Sequence, residues 1–89
     1  MTWIVYILEC ADNSLYTGIT TNLTRRVQEH HAGTGAKYTK NRGPYTVRYT
    51  EITKTRSTAL KREAAIKTLD RSAKLALITT SSHAKPNNT

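Results

Sequence analysis

Two tyrosines stand ten residues apart near the start of the chain, Tyr6 in Trp3-Ile4-Val5-Tyr6-Ile7-Leu8 and Tyr16 in Tyr16-Thr17-Gly18. They are followed by Asn22-Leu23-Thr24-Arg25-Arg26-Val27-Gln28-Glu29-His30. Phenol, guanidinium and imidazole groups on one surface could cleave a phosphodiester. That reaction needs a positioned water, a base for its proton, positive charge on the pentavalent phosphate and relief of charge on the departing 3′ oxygen. Each residue also has a plainer reading. Strand tyrosines are commonly half-buried packing residues, Arg26 could be a solvated helix residue, and His30 with His31 an exposed helix end.

The elements that must position these groups can be read from pattern. Residues 3 to 9 are aromatic and β-branched with apolar character on both faces, which predicts a central strand. Ala11-Asp12-Asn13-Ser14 supplies turn chemistry, and Leu15 to Thr20 follows as the partner of a short-loop hairpin. Side chains alternate along strands, so Tyr6 and Tyr16 share a face in a register that sets Gly18 opposite Tyr6. A slip of one residue would put the phenols on opposite faces.

Thr20, Thr21 and Asn22 are N-cap candidates, and Leu23 with Val27 gives the apolar pair of a helix running to about Ala32, with Gly33 as its stop. Arg26 and His30 are four apart and share one face of it. The stretch from Gly33 to Pro44 reads as a basic loop. Tyr45 to Ile52 predicts a third strand, Thr55 or Ser57 the cap of a helix through Lys67, and Ser72 the cap of a last short helix from Ala73 to Ile78. From Thr79 no apolar period remains, so residues 79–89 are expected to form a polar disordered tail beyond a single domain of residues 1–78. The order β-β-α-β-α-α predicts an α+β fold, a small three-stranded antiparallel sheet flanked by helices.

Fourteen Lys and Arg against six Asp and Glu give +8 in 89 residues, a balance suited to a polyanion, with nucleic acid the leading partner. Apolar residues make up 37% and Phe is absent, so the core must come from Ile, Val, Leu and part of the Trp and Tyr set. The lone Cys10 excludes an intramolecular disulfide and a thiolate zinc site, and fits a reducing compartment. The six-residue apolar run at the N-terminus is too short for a signal peptide or a membrane span, so a cytoplasmic protein is expected. No feature names a protein partner.

In these residues the chain resembles the GIY-YIG nuclease superfamily, most closely its small stand-alone bacterial branch of putative endonucleases. The match covers roughly residues 3 to 78. Ile4-Val5-Tyr6 stands where the family has Gly-Ile-Tyr, and Tyr16-Thr17-Gly18 where it has Tyr-Ile-Gly. Asn22-Leu23-x-x-Arg26-Val27, His30, and Glu63 in Lys61-Arg62-Glu63-Ala64-Ala65-Ile66-Lys67 complete the resemblance. Ile4 replaces the first glycine, and Ile19 follows Gly18 where the excision-repair incision nucleases carry a lysine. The separate DNA-binding or zinc-binding domain of many members has no counterpart here.

The resemblance implies an endonuclease that hydrolyses DNA, or RNA, branched or single-stranded forms, with a place in repair or recombination. Tyr6, helped by Tyr16, would orient or deprotonate the water, Arg26 would stabilise the phosphate, and His30 would polarise a tyrosine or bind the water. Gly18 would leave room beside the ring. Glu63 would hold one divalent metal, Mg²⁺ or Mn²⁺, although it also forms a favourable i,i+4 pair with Lys67 on a helix surface. A free phenol has a pKa of ~10, so a metal and Arg26 together would be needed to favour phenolate. Lys37, Tyr38, Lys40, Asn41 and Arg42 would follow a phosphate backbone and stack a base, or else form a mobile solvated loop. DNA is favoured over RNA as partner. The competing reading is a non-catalytic nucleic-acid-binding module of the same fold; a protein-interaction adaptor ranks behind it for want of an apolar patch.

Overall fold

The computed structural model describes residues 2–84. The chain runs β1 (Trp3–Glu9), β2 (Leu15–Thr20), α1 (Leu23–His31), a short 3-10 turn (Lys37–Thr39), β3 (Thr46–Thr53), α2 (Arg56–Lys67) and α3 (Arg71–Ala84). The three strands form one antiparallel sheet in the order β2-β1-β3. The α+β architecture expected from the sequence is therefore the one observed. The strand with apolar residues on both faces, β1, lies at the centre because helices cover both its sides.

Alternation along β1 sorts its side chains into two half-cores. Val5 and Ile7 pack with Ala59, Ile66 and Ile78 of α2 and α3, joined by Trp3, Leu15, Ile19 and Tyr49. Tyr6, Leu8 and Cys10 face the other way, against Tyr45 and against Leu23 and Val27 of α1. The β1–β2 register sets Tyr6 opposite Gly18 and Leu8 opposite Tyr16, so both tyrosines face α1. A β-bulge at Arg48 shifts the β1–β3 ladder between Ile7 and Leu8.

Local chemistry explains most boundaries. In the hairpin the Asp12 carboxylate accepts from the Ser14 amide at 3.1 Å and its hydroxyl at 2.6 Å, with Asn13 at φ 68. Asn22 caps α1 by accepting from the Arg25 amide at 3.0 Å, and Thr55 caps α2 by accepting from the Thr58 amide at 3.1 Å. The last helix departs from expectation at both ends. Asp70, not Ser72, is placed to cap it, accepting from the Ala73 amide at 2.8 Å. The helix continues through Ala84, past the Ile78 boundary expected for the folded domain. A helix already docked through Leu75 and Ile78 is nucleated, and adding residues then requires only propagation, which Thr and Ser tolerate. Of the expected disordered tail, 79–84 is helical and 85–89 lies outside the described residues.

Candidate active site

The centre of the site is a chain of buried hydrogen bonds. Tyr6 is fully buried and its hydroxyl lies 3.0 Å from His30 Nε2. His30, 1% exposed at the end of α1, sets its Nδ1 2.7 Å from Thr39 Oγ1, which in turn donates to the Ala36 carbonyl at 2.9 Å. Thr39 has one hydroxyl hydrogen and gives it to Ala36, so it accepts from His30 Nδ1–H. The neutral ring then has its lone pair on Nε2, and the Tyr6 O–H donates to it. The reverse tautomer would leave the buried Tyr6 hydrogen without an acceptor. Burial holds the His30 pKa below its ordinary value, with the charge of Arg26 acting in the same direction, and so favours the neutral ring.

Two glycines make this packing possible. A Cβ at Gly18 would sit 2.6 Å from the Tyr6 hydroxyl oxygen and 3.0 Å from a Tyr16 ring carbon. At Gly35 it would sit 2.6 Å from His30 Nδ1, so the chain after α1 can close over the imidazole only without a side chain. Tyr45 completes the enclosure by donating from its hydroxyl to the Thr39 carbonyl. Gly35, Thr39 and Tyr45 carried no motif signal, because their role depends on a loop folding back onto α1 rather than on local spacing.

Around the buried chain lie the groups that meet solvent. The Tyr16 ring packs 6.3 Å from that of Tyr6 and 5.5 Å from His30, centroid to centroid. Arg26 lies beside the Tyr6 hydroxyl, with its side chain 27% exposed and its guanidinium 2.9 Å from Glu29. Burial nevertheless pushes the Tyr6 pKa up to about 12; Arg26 opposes the rise, while the charges of Tyr16 and Glu63 add to it. Desolvation therefore outweighs the guanidinium, and Tyr6 rests as a phenol at neutral pH.

Glu63 reaches this region from α2, on the other side of the sheet, and its charge is felt at the Tyr6 hydroxyl. Its side chain is 18% exposed and 3.3 Å from Lys67, the i,i+4 partner expected on a helix surface. Among the described residues no group of three His, Cys, Asp or Glu side chains converges as a metal cage. A single half-buried carboxylate fits a hard cation that keeps most of its water and takes its remaining oxygen ligands from a phosphate.

The basic segment packs onto the site through its aromatic and arginine side chains. Tyr38 stacks on Tyr16 at 5.8 Å and 25°, and the Arg42 guanidinium covers it at 4.8 Å from the ring centroid. Arg42 also pairs with Asp12 at 2.5 Å, tying the segment to the hairpin turn. Lys37 and Lys40 are exposed, and Asn41, at φ 63, lines a cleft of about 370 Å³ beside His30 and His31. Ile19, where a lysine stands in the incision nucleases, packs against the Val5 and Ile7 cluster on the opposite face from Tyr6.

A three-stranded sheet carrying paired tyrosines, a helix-borne arginine and histidine, and a glutamate from a later helix defines a class. Residues 2–76 match the family model of the GIY-YIG catalytic domain, and the chain belongs to this family of nucleases. It is similar to small UPF0213 proteins, 53% identical over 73 residues to one from Halobacterium salinarum, covering 82% of this chain and 95% of that one. One from Staphylococcus haemolyticus is 53% identical over 74 residues, covering 83% and 90%. The solution structure of a UPF0213 protein from Bacillus halodurans superposes with a TM-score of 0.60 at 42% identity, covering 90% of this chain and 85% of that one. An E. faecalis protein structure does so at 0.62 and 42%, covering 91% and 88%. No described helix is long and apolar enough to cross a membrane.

Proposed function

We propose that this protein is a metal-dependent endonuclease hydrolysing phosphodiester bonds of DNA. The observation that carries the proposal is the buried Tyr6–His30–Thr39 relay, whose Tyr6 end is flanked by Arg26. Glu63 would hold one Mg²⁺ or Mn²⁺, which supplies positive charge to the substrate phosphate. Tyr6 is buried at rest beside Arg26, and its oxygen orients the attacking water once Arg26 turns away to the phosphate. As the water oxygen bonds to phosphorus, its proton passes to Tyr6 while the Tyr6 proton passes to His30 Nε2. This exchange spares the enzyme a free phenolate, whose cost at a pKa of about 12 would be high at neutral pH. Arg26 turns from Glu29 to the phosphate and stabilises the charge gathering on its oxygens. The bond to the 3′ oxygen then breaks, and that oxygen takes a proton from solvent.

Labelled single-stranded, duplex and branched DNA and the corresponding RNAs, incubated with pure protein and Mg²⁺ or Mn²⁺, test this directly. Cleavage should require the metal and fall at least ~10²-fold in Arg26→Ala and Glu63→Ala. Absence of products on every substrate, or cleavage indifferent to both substitutions, refutes it.

A second reading, a nucleic-acid-binding module with little turnover, draws on the ion pairs that occupy both charged groups, Arg26 with Glu29 and Glu63 with Lys67. It predicts salt-sensitive binding, weakened by substitutions at Lys40 and Arg42, without metal-dependent products. Multiple turnovers at low protein concentration exclude it.

A further inference from the structure

Beside the catalytic groups, where the β2 edge meets the helices, lies a second cavity of about 340 Å³ lined by Leu15, Tyr16, Thr17, Tyr38, Lys67 and Lys74. Three features set it apart from a surface dent. The stacked pair of Tyr16 and Tyr38 makes one wall aromatic. Two lysines from different helices, α2 and α3, bring positive charge to it, and Lys67 sits 6.0 Å over the Tyr16 ring. Thr17 is 2% exposed, yet its hydroxyl has no hydrogen-bond partner among the described residues. Buried hydroxyls are rarely left so, and this one lies just behind the cavity wall, where a small shift of that wall lets it meet a polar atom.

We infer that this cavity takes one unstacked nucleotide of the substrate strand, next to the scissile phosphate, with its base against Tyr16 and Tyr38 and its phosphate between Lys67 and Lys74. The assignment rests on the nuclease reading of the neighbouring site and deepens it. A π-face with an adjacent anion is the chemistry the wall offers. The volume is at the lower end of small-molecule pockets, ~300–1,000 Å³, which suits one nucleotide and excludes a duplex. Tyr16 belongs to both the cavity and the site, so a nucleotide seated here places a neighbouring phosphodiester at Tyr6 and Arg26. Lys67 is shared as well. Drawn to a phosphate, it leaves its 3.3 Å pairing with Glu63 and frees that carboxylate as the strand arrives. The substrates implied are strands with accessible bases, such as single-stranded, flapped or branched forms, rather than uninterrupted duplex.

The test uses the whole protein in EDTA, where no metal-dependent turnover intervenes, titrated with a single-stranded thymidine trinucleotide, with dTMP and with a blunt hairpin duplex. Amide NMR signals of Thr17 and Lys74 should shift with the trinucleotide. Lys74→Met should weaken its binding ~10-fold and lower the salt slope by about one while changing duplex binding less than about twofold. Thr17→Val, which removes the hydroxyl at nearly constant volume, should weaken it severalfold with retention of the native amide spectrum. Shifts confined to Lys37 and Lys40, equal losses for strand and duplex, or dTMP binding as tightly as the trinucleotide would each overturn the assignment. Cleavage assays report separately: an inactive protein that still shows these shifts loses the nuclease reading and keeps the pocket. An active one without them loses only the pocket.

Discussion

The Tyr6 hydroxyl and His30 Nε2 meet at 3.0 Å inside the protein, and Thr39 decides which of the two gives the proton. Tyr6 comes from the central strand, His30 from the last turn of α1 and Thr39 from the turn beyond it. Their meeting joins hairpin, helix and loop through a single polar seam in an otherwise apolar half-core. A seam of this kind is stabilising only when every member is satisfied, so its failure is expected to be felt in both folding and function.

Acid should weaken both together. His30 has a folded-state pKa below its ordinary 6.5, so between these values the unfolded chain binds more protons. Its contribution to stability is complete above pH 6.5 and is lost as the pH falls through the folded value. Tyr6 acts in the opposite sense: its pKa is raised from 10.0 to about 12, so that contribution is present below pH 10 and disappears as pH rises through 12. Urea midpoints between pH 8 and 4 should decline in the wild type and less steeply in His30→Gln. Identical slopes would remove His30 from the account. Cleavage should fall over the same acid window, as protonation takes away the lone pair that receives the Tyr6 proton.

Gly18→Ala should cost about 1–3 kcal/mol, the usual range for overpacking, because the methyl would lie 2.6 Å from the Tyr6 oxygen. The phenol must move, and with it the hydrogen bond to His30. Loss of activity well beyond the loss of folded protein is expected, read by comparing cleavage rate with the urea midpoint. Full activity in this variant would show that the Tyr6 position is unimportant.

Thr39→Val keeps the shape and removes both hydrogen bonds of the hydroxyl. It leaves His30 Nδ1–H unpartnered, at about 1–3 kcal/mol for that buried group, while the Ala36 carbonyl keeps the Thr39 amide at 3.1 Å. Nitrogen-15 spectra of the imidazole should show Nδ1 protonated in the wild type and a mixture of tautomers in the variant. Thr39→Ser should restore the wild-type signature. A wild-type ring protonated on Nε2 would overturn the direction of the relay.

Glu29→Gln should release Arg26 at little cost. The pair is partly exposed, at 27% and 37%, and such pairs contribute about 0–1 kcal/mol. Binding of a short oligonucleotide should tighten severalfold, measured by fluorescence anisotropy at low salt. Arg26→Lys should not substitute for arginine, since an ammonium lacks the planar fork that grips a phosphate. Unchanged binding in Glu29→Gln would show that Arg26 does not face the substrate.

Lys67→Met should raise the affinity of the protein for Mn²⁺ in the absence of nucleic acid by removing the cation 3.3 Å from Glu63. Paramagnetic broadening of amide signals, centred on Glu63 and its neighbours in α2, is the measurement. Broadening centred elsewhere would dismiss Glu63 as the metal ligand.

The amino-acid order alone settled much of the frame. An aromatic and β-branched run, apolar on both of its alternating faces, identified β1 as central, and Asn22 and Thr55 announced two helix starts through their capping side chains. The same alternation tied the common face of Tyr6 and Tyr16 to a register that the hairpin adopts. These are local signals, encoded within a few residues of where they act. The end of α3 was hidden because docking of Leu75 and Ile78 outweighs the weak preferences of Thr79 to Ser82. The partnership of His30 with Thr39, the close approach of Gly35 and the neutral state of Tyr6 depend on which surfaces exclude water once the loop closes. Exclusion of water is a property of the assembled fold, and only the tertiary structure could decide it.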